Sequence, residues 1–299
     1  MPKHNNLTEL FTATANAIRS KTGSTDPIVA DDFPTAIEGI EAGGGGVTGD
    51  FVLCGEATEV AVRMFSSSKI TGVDLPFATS IDDRAFEHCD NITSIDLPVA
   101  TSIGEYAFIY CKSLPSIDLP AATSIGGEAF TNCTSLTSID LPAATSIGAR
   151  AFADCTSLAS IDLPAATSIG EYAFSFCDNL TSIDLPAATS IGEGAFYFCD
   201  NLTSVDLPAA TSIGATAFDS SKSLTAIILR TTETVCVVDF TAIANTPLVD
   251  GEGHVYIPAV MYEYYRAGYE PALEAAGAAG FFDILFRKIE DYPEICGTT

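Results

Sequence analysis

Residues 180–186 alternate in character: Ile183 and Leu185 are apolar, while Ser182 and Asp184 between them are polar. That period of two predicts a strand with one buried face. It ends at Pro186, which has no N–H to give to a neighbouring strand. Residues 187–192 read as a second extended stretch, closed by the turn residue Gly192. In residues 193–199, Ala195 and Cys199 stand at i and i+4. The spacing predicts one short helical or 3-10 turn with Ala195, Phe196 and Cys199 facing inward. Asp200 and Asn201 then turn the chain into its next unit.

The same phrase returns from residue 70 to residue 223 at a fixed interval of 22 residues, seven units in all. Phe86, Phe108, Phe130, Phe152, Phe174, Phe196 and Phe218 mark it, and so do the isoleucines from Ile81 to Ile213 and the prolines from Pro76 to Pro208. Period without drift predicts a repeat solenoid, β-rich with short helical or 3-10 turns, because one coil cannot cover its own apolar face and must stack on neighbours. At about 4.8 Å per coil the array spans roughly 35 Å.

Solenoid ends expose core and sheet edge, so caps are expected. Residues 51–69, with Phe51-Val52-Leu53-Cys54 and Val60-Ala61-Val62-Arg63-Met64 as strands, read as the N-terminal cap. Residues 224–299 read as the C-terminal cap: a strand from Leu224 to Leu229 in which Ile228 replaces the repeat aspartate, further strands near Val235 and Val255, and a helix near 259–277. Ahead of the array, residues 1–42 read as two helices, one presenting Leu7, Leu10, Phe11, Ala17 and Ile18 on a single face. Gly43 to Gly46 fall within a glycine-rich linker, residues 43–50. So short a module cannot bury a core alone. It is expected to attach the chain to a larger assembly or to oligomerise it; a hairpin packed on the solenoid is the alternative.

Charge narrows the partners. Thirty-nine acidic residues against 13 basic give a net charge of -26 and a pI near 4.1. That surface repels phosphates, so neither nucleic acid nor an anionic membrane is expected as a partner. No run approaches the roughly 18 apolar residues of a membrane helix. The first residues lead into an amphipathic segment rather than a signal peptide. The chain is therefore expected to stay in the cytosol or to leave by another route, release of a virus particle by lysis being one.

Four patterns carry candidate chemistry. The first is an outward row of carboxylates: Asp74, Asp96, Asp118, Asp140, Asp162, Asp184 and Asp206. Stacked about 5 Å apart they repel by about 1 kcal/mol per pair. They form either a face for cations or a basic partner, or a solvated edge that blocks aggregation. No metal site or other cofactor is expected, although weak divalent-cation binding stays open, since calcium wants more oxygens in a closed geometry. The second is a row from Cys89 to Cys199 with Ser221 in the seventh place, read as small buried hydrophobes because a spacing of 22 fits no zinc pattern. The third is the set of variable positions around the turn: Tyr106, Ile109, Tyr110, Arg150, Tyr172, Phe176, Tyr197 and Phe198. The aromatics of the fifth and sixth units are expected to lie together as an apolar or sugar-stacking patch, or else as filler beneath a neighbour. The absence of Trp counts against sugar. The fourth, catalysis, finds no support: His4, His88 and His254 are scattered and no nucleophile, zinc or phosphate motif is present.

Leu180, Ile183, Leu185, Pro186, Thr189-Ser190-Ile191-Gly192, Ala195-Phe196 and Cys199, with their equivalents in each unit, resemble the BspA type of leucine-rich repeat, found in bacterial surface proteins and in phages and prophages. Ala188 stands where the better-known leucine-rich pattern has asparagine. Leu229-Arg230, Asn245-Thr246-Pro247, Val255-Tyr256-Ile257-Pro258 and Glu290-Asp291-Tyr292-Pro293 resemble the usual tail of such proteins. Ala17-Ile18-Arg19-Ser20-Lys21-Thr22-Gly23 and Asp31-Asp32-Phe33-Pro34 resemble a leader of phage tail- or fibre-associated proteins. The resemblance implies adhesion or receptor recognition without catalysis. The expected partner is a bacterial surface protein or glycan, and the expected place a virion or a bacterial surface. A bacterial adhesin exported by another route, or a cytosolic scaffold for a basic protein, are the competing readings.

Overall fold

The computed structural model describes residues 58–275 and 280–293; the leader, the linker and the strand expected at 51–54 lie outside them. Each unit contributes two short parallel strands. In one unit these are Ser182–Asp184 and Ser190–Ile191. Strands of the second kind stack into one nine-stranded sheet from Glu59–Val60 to Val237–Val238 in chain order. Strands of the first kind form the other face in three sheets, of four, two and four strands. Register never slips: Ser190 pairs with Ser212 and Asp162 with Asp184, like residue on like. A period-2 pattern with one buried face leaves no other register.

The third side of the coil is the turn segment. It has the expected bonds closing over three residues, Tyr197 N–H to Gly194 O at 2.9 Å and Cys199 N–H to Phe196 O at 3.3 Å. It does not continue as a helix, because Gly194 and Phe198 take φ of 58° and 57°. A left-handed residue turns its own N–H out of the local turn. Gly194 then donates to Ala215 O of the next coil at 2.9 Å, Phe196 to Ala217 O at 2.7 Å and Phe198 to Asp219 O at 3.0 Å. On the opposite sheet, Thr189 N–H and Oγ1–H both reach back to Thr167 O of the preceding coil, at 2.9 and 3.1 Å. Each coil is thus sewn forward at one corner and backward at another.

The interior repeats as faithfully. Leu180, Ile183, Leu185, Ala188, Ile191, Ala195, Phe196 and Cys199 are all buried, and Ser182, Asp184 and Pro186 are exposed. Eight phenylalanines, Phe65 to Phe218, stack in one column with ring centroids 5.0 to 5.4 Å apart and no exposure. Coils approach closely at the glycine column, where a Cβ on Gly192 would meet the Gly170 carbonyl carbon at 2.7 Å. The thiols do more than fill space. Cys155 Sγ donates to Phe130 O at 3.1 Å, and Ser221 Oγ makes the same bond to Phe196 O at 2.9 Å. Burial raises every thiol of the row, Cys89 to about 11 and Cys111, Cys133, Cys155 and Cys177 far above the ordinary 9.0.

The solenoid extends beyond the seven units at both ends. The strand expected over 60–64 is confined to Glu59–Val60, because Arg63 and Ser67 are left-handed, with φ of 56° and 59°. Residues 61–67 are therefore already a turn segment, and Phe65 opens the phenylalanine stack. At the other end Ala226–Leu229, His254–Ile257 and Phe286–Lys288 prolong one face, and Val237–Val238 the other. Helix α1, Ala259–Ala275, then covers the last strand. Cys236 and Val238 donate their N–H groups to the Tyr265 and Tyr269 hydroxyls, each at 2.7 Å, so that this stretch of the outer edge is not left unpaired. The Glu290 carboxylate in turn accepts from Ala259 N–H at the start of α1, at 2.9 Å.

Three outcomes follow from this packing. Phe152→Ala lowers unfolding free energy by about 3–5 kcal/mol in urea titration, whereas Asp162→Ala changes it by less than about 0.5 kcal/mol. Tyr265→Phe and Tyr269→Phe each strip the acceptor from a backbone N–H, costing about 1–3 kcal/mol by the same measurement. The thiols make stability depend on alkali. Their folded pKa values lie above the unfolded value of 9.0, so their contribution is complete below pH 9.0 and is lost as pH rises through the folded values. Replacing Cys133, Cys155 and Cys177 together by serine flattens the decline of the thermal midpoint above that pH.

Candidate binding surface

Two outward features distinguish this rod. The carboxylate row occupies the sheet face of Ser182–Asp184 and its equivalents. Asp96, Asp118, Asp140, Asp162 and Asp184 are exposed, and Asp74 and Asp206 are half-buried at the ends. The row is not uniform to its end. Arg230 clasps Asp206 with Nε 2.9 Å and Nη2 2.7 Å from Oδ2, and beyond it the register passes to Ile228, Tyr256 and Arg287. A flat row presents one carboxylate per coil. Among the described residues no three His, Cys, Asp or Glu side chains converge on a point where a metal ion would sit. The geometry suits contact with an extended positive surface better than enclosure of an ion.

The second feature is the turn corner. Its left-handed residues form two columns, one through Arg84, Tyr106, Glu128, Arg150, Tyr172, Gly194 and Thr216, the other through His88, Tyr110, Asn132, Asp154, Phe176, Phe198 and Ser220. Nearly all are non-glycine residues in a conformation that costs about 1–2 kcal/mol each. The forward N–H bonds to the next coil hold them there: Tyr172 to Glu193 O at 2.7 Å, Phe176 to Tyr197 O at 2.8 Å. The core residues hardly vary from coil to coil, but these two columns do. Most of the variable positions read from the sequence fall on them; Ile109 and Tyr197 do not, and Ile109 is buried.

The expected aromatic group forms. Phe176 stacks on Phe198 at 5.2 Å, and Tyr197 meets Phe198, Phe176 and Tyr172 edge-on at 4.6, 5.7 and 6.3 Å. Gly194 makes room for it. A Cβ there would run into the Tyr172 ring, which lies across the glycine while its hydroxyl donates to the Glu193 carboxylate at 3.0 Å. Tyr106 and Tyr110 are not part of this group. They belong to coils nearer the N-terminus, where Tyr110 stacks on His88 at 4.5 Å.

Of the cations, sequence reasoning picked out Arg150 alone, and not that each cation rests on a ring. Arg84 lies 4.1 Å from the Tyr106 ring centre, Lys112 5.5 Å from Tyr110, Arg150 4.9 Å from Tyr172 and Lys222 5.7 Å from Phe198. These are all the lysines and arginines of residues 70–223, and each rests on a ring of the two columns. The signal was present as spacing, since Arg84 and Tyr106, like Arg150 and Tyr172, are 22 residues apart. Around the aromatic group the carboxyls of Asp154 and Asp178 are raised, chiefly by burial, and for Asp178 also by Asp200 and Asp154. The two described histidines do not meet, His254 lying in the C-terminal region with Nδ1 3.0 Å from Ile284 O. No helix of the described residues is long and apolar enough to cross a membrane.

Comparison with known proteins agrees with this architecture. The model of the BspA type leucine rich repeat region matches residues 58–166 and 123–248, in six copies. A leucine rich repeat protein of T. pallidum is 33% identical over 49% of this chain and 72% of its own, with a TM-score of 0.46. A leucine-rich repeat protein of Bacteroides ovatus is 22% identical over 76% of this chain and 68% of its own, with a TM-score of 0.42. Comparison with curated proteins gave no match. The family model covers the seven regular units, the coil before them and the chain beyond them as far as residue 248, and the chain belongs to the family of BspA-type leucine-rich-repeat proteins.

Proposed function

We propose that this protein is a non-enzymatic binding protein that recognises a bacterial surface through its turn corner, as a phage or prophage tail- or fibre-associated component. One observation carries the binding reading: variation between coils is concentrated on the turn corner, in the two left-handed columns and the positions beside them, while the strands and the core stay nearly uniform. A rigid core with changing side chains at fixed spacing is how a repeat scaffold separates stability from recognition. Partly exposed aromatics at Tyr172, Phe176, Tyr197 and Phe198 give the kind of anchor that dominates interfaces. The leader's resemblance to phage attachment segments supports the virion setting, with residues 1–42 joining the rod to a larger assembly.

The test is binding of labelled protein to bacterial cells, using the full chain and residues 47–299. Both bind cells, and only the full chain assembles into larger species on a sizing column. Replacing Tyr197 and Phe198 by serine reduces cell-bound label about tenfold or more while the protein still melts in a single cooperative transition. Cell binding that survives this change would place recognition elsewhere on the rod. Cell binding absent for every form would remove the adhesion reading itself.

A further inference from the structure

Phe176 is the exception among the aromatic residues of the two columns. Tyr106, Tyr110, Tyr172 and Phe198 each carry a cation over the ring, but among the described residues no lysine or arginine covers Phe176, which is 40% exposed. The substitution responsible is visible in the repeat. Two residues after Tyr110 stands Lys112, which covers that ring; two residues after Phe176 stands Asp178. One coil further on, Phe198 is likewise followed by an acid, Asp200, and there Lys222 of the next coil lies over the ring and donates to Asp200 at 2.7 Å. At Phe176 the repeat differs: Asp200 stands where Lys222 stands one coil later, and Phe198 stacks on one face of the ring, so the exposed remainder of Phe176 faces carboxylates with no lysine among them. Asp154 precedes Phe176 in the same column and adds a second carboxylate. Nearby, Arg150 rests on Tyr172, and Lys222 is engaged by Asp200.

We infer that Phe176, Asp178 and Asp154 receive a lysine or arginine side chain from a basic, extended segment of a partner protein, in the manner that Phe198 and Asp200 receive Lys222. The inference rests on the binding reading above and names the partner's chemistry. An aromatic face supplies cation–π attraction and the carboxylates supply charge. A chain of net charge -26 steers such a segment inward. Burial raises both Asp154 and Asp178, with Asp200 adding to the effect at Asp178, and the nearby Arg150 and Lys222 offset it only in part.

The experiment is fluorescence anisotropy of a labelled Ser-Arg repeat peptide, with its Ser-Gln counterpart as blank, titrated with full-length protein at about 150 mM salt. The wild type binds the arginine peptide and not the glutamine one. Phe176→Ala and Asp178→Asn each weaken binding about tenfold. Asp178→Lys, which copies Lys112, abolishes binding and raises the melting temperature. Glu252→Gln, an exposed position in the C-terminal region outside both surface features, removes the same charge and leaves binding unchanged. If Phe176→Ala is poorly folded, Phe176→Leu keeps the apolar bulk, removes the π face and weakens binding likewise. Equal weakening by Glu252→Gln, or peptide binding indifferent to both Phe176 variants, overturns the inference. Cells bound in the absence of any peptide binding would overturn it while leaving the adhesion reading standing.

Discussion

Everything in this rod depends on N–H groups that leave their own coil. At each turn corner three of them point forward, as at Gly194, Phe196 and Phe198, and they do so because two residues per coil are left-handed. A helical turn would have consumed those donors locally. With them turned outward, the corner cannot exist without a next coil, and the phenylalanine column between corners is brought to stacking distance. Local strain of about 1–2 kcal/mol at each left-handed residue is offset by contacts that only the stack provides. Stability is therefore a property of neighbours, not of units.

The strands, the buried face and the repeat length were legible because they obey one rule, alternation at an unvarying interval. Ile183 and Leu185 point inward in the structure as their alternation with Ser182 and Asp184 requires. The corner was legible only in part. Left-handed backbone is read from glycine or asparagine, and here it is held by Tyr172, Phe176, Arg150 and their like, with Gly194 almost alone in showing the usual sign. The ends were obscured for a different reason. Backbone pairing continues through Glu59–Val60 and Phe286–Lys288, although the side-chain phrase that marks the units has gone.

At the candidate site, sequence brought out the aromatic residues but not what they sit beside. Residues one coil apart are adjacent in space, so Arg150 and Tyr172 were readable as neighbours from their spacing. Lys222 on Phe198 was not, since it depends on a flexible side chain reaching back across a coil. The carboxylate row shows the reverse. It was the most regular signal in the sequence, yet among the described residues its members do not converge on one point, and the one at the C-terminal end is clasped by Arg230. Regularity marks what the scaffold repeats, and departure from it marks where the scaffold differs from coil to coil.

The tyrosine clamp on the last strand has a mechanical side. Hydrogen bonds between coils run along the rod, so a pull on its two ends does not shear many of them together. It opens them in series, beginning at whichever terminal coil is held least firmly. Tyr265 and Tyr269 tie Cys236 and Val238 to α1, and Glu290 ties the start of α1 to the segment that follows the final strand. At the C-terminal end these bonds add to the pairing of His254–Ile257 with Phe286–Lys288 in resisting the first opening, and once the longer terminal coils have gone each regular coil lengthens the tether by an equal step of 22 residues.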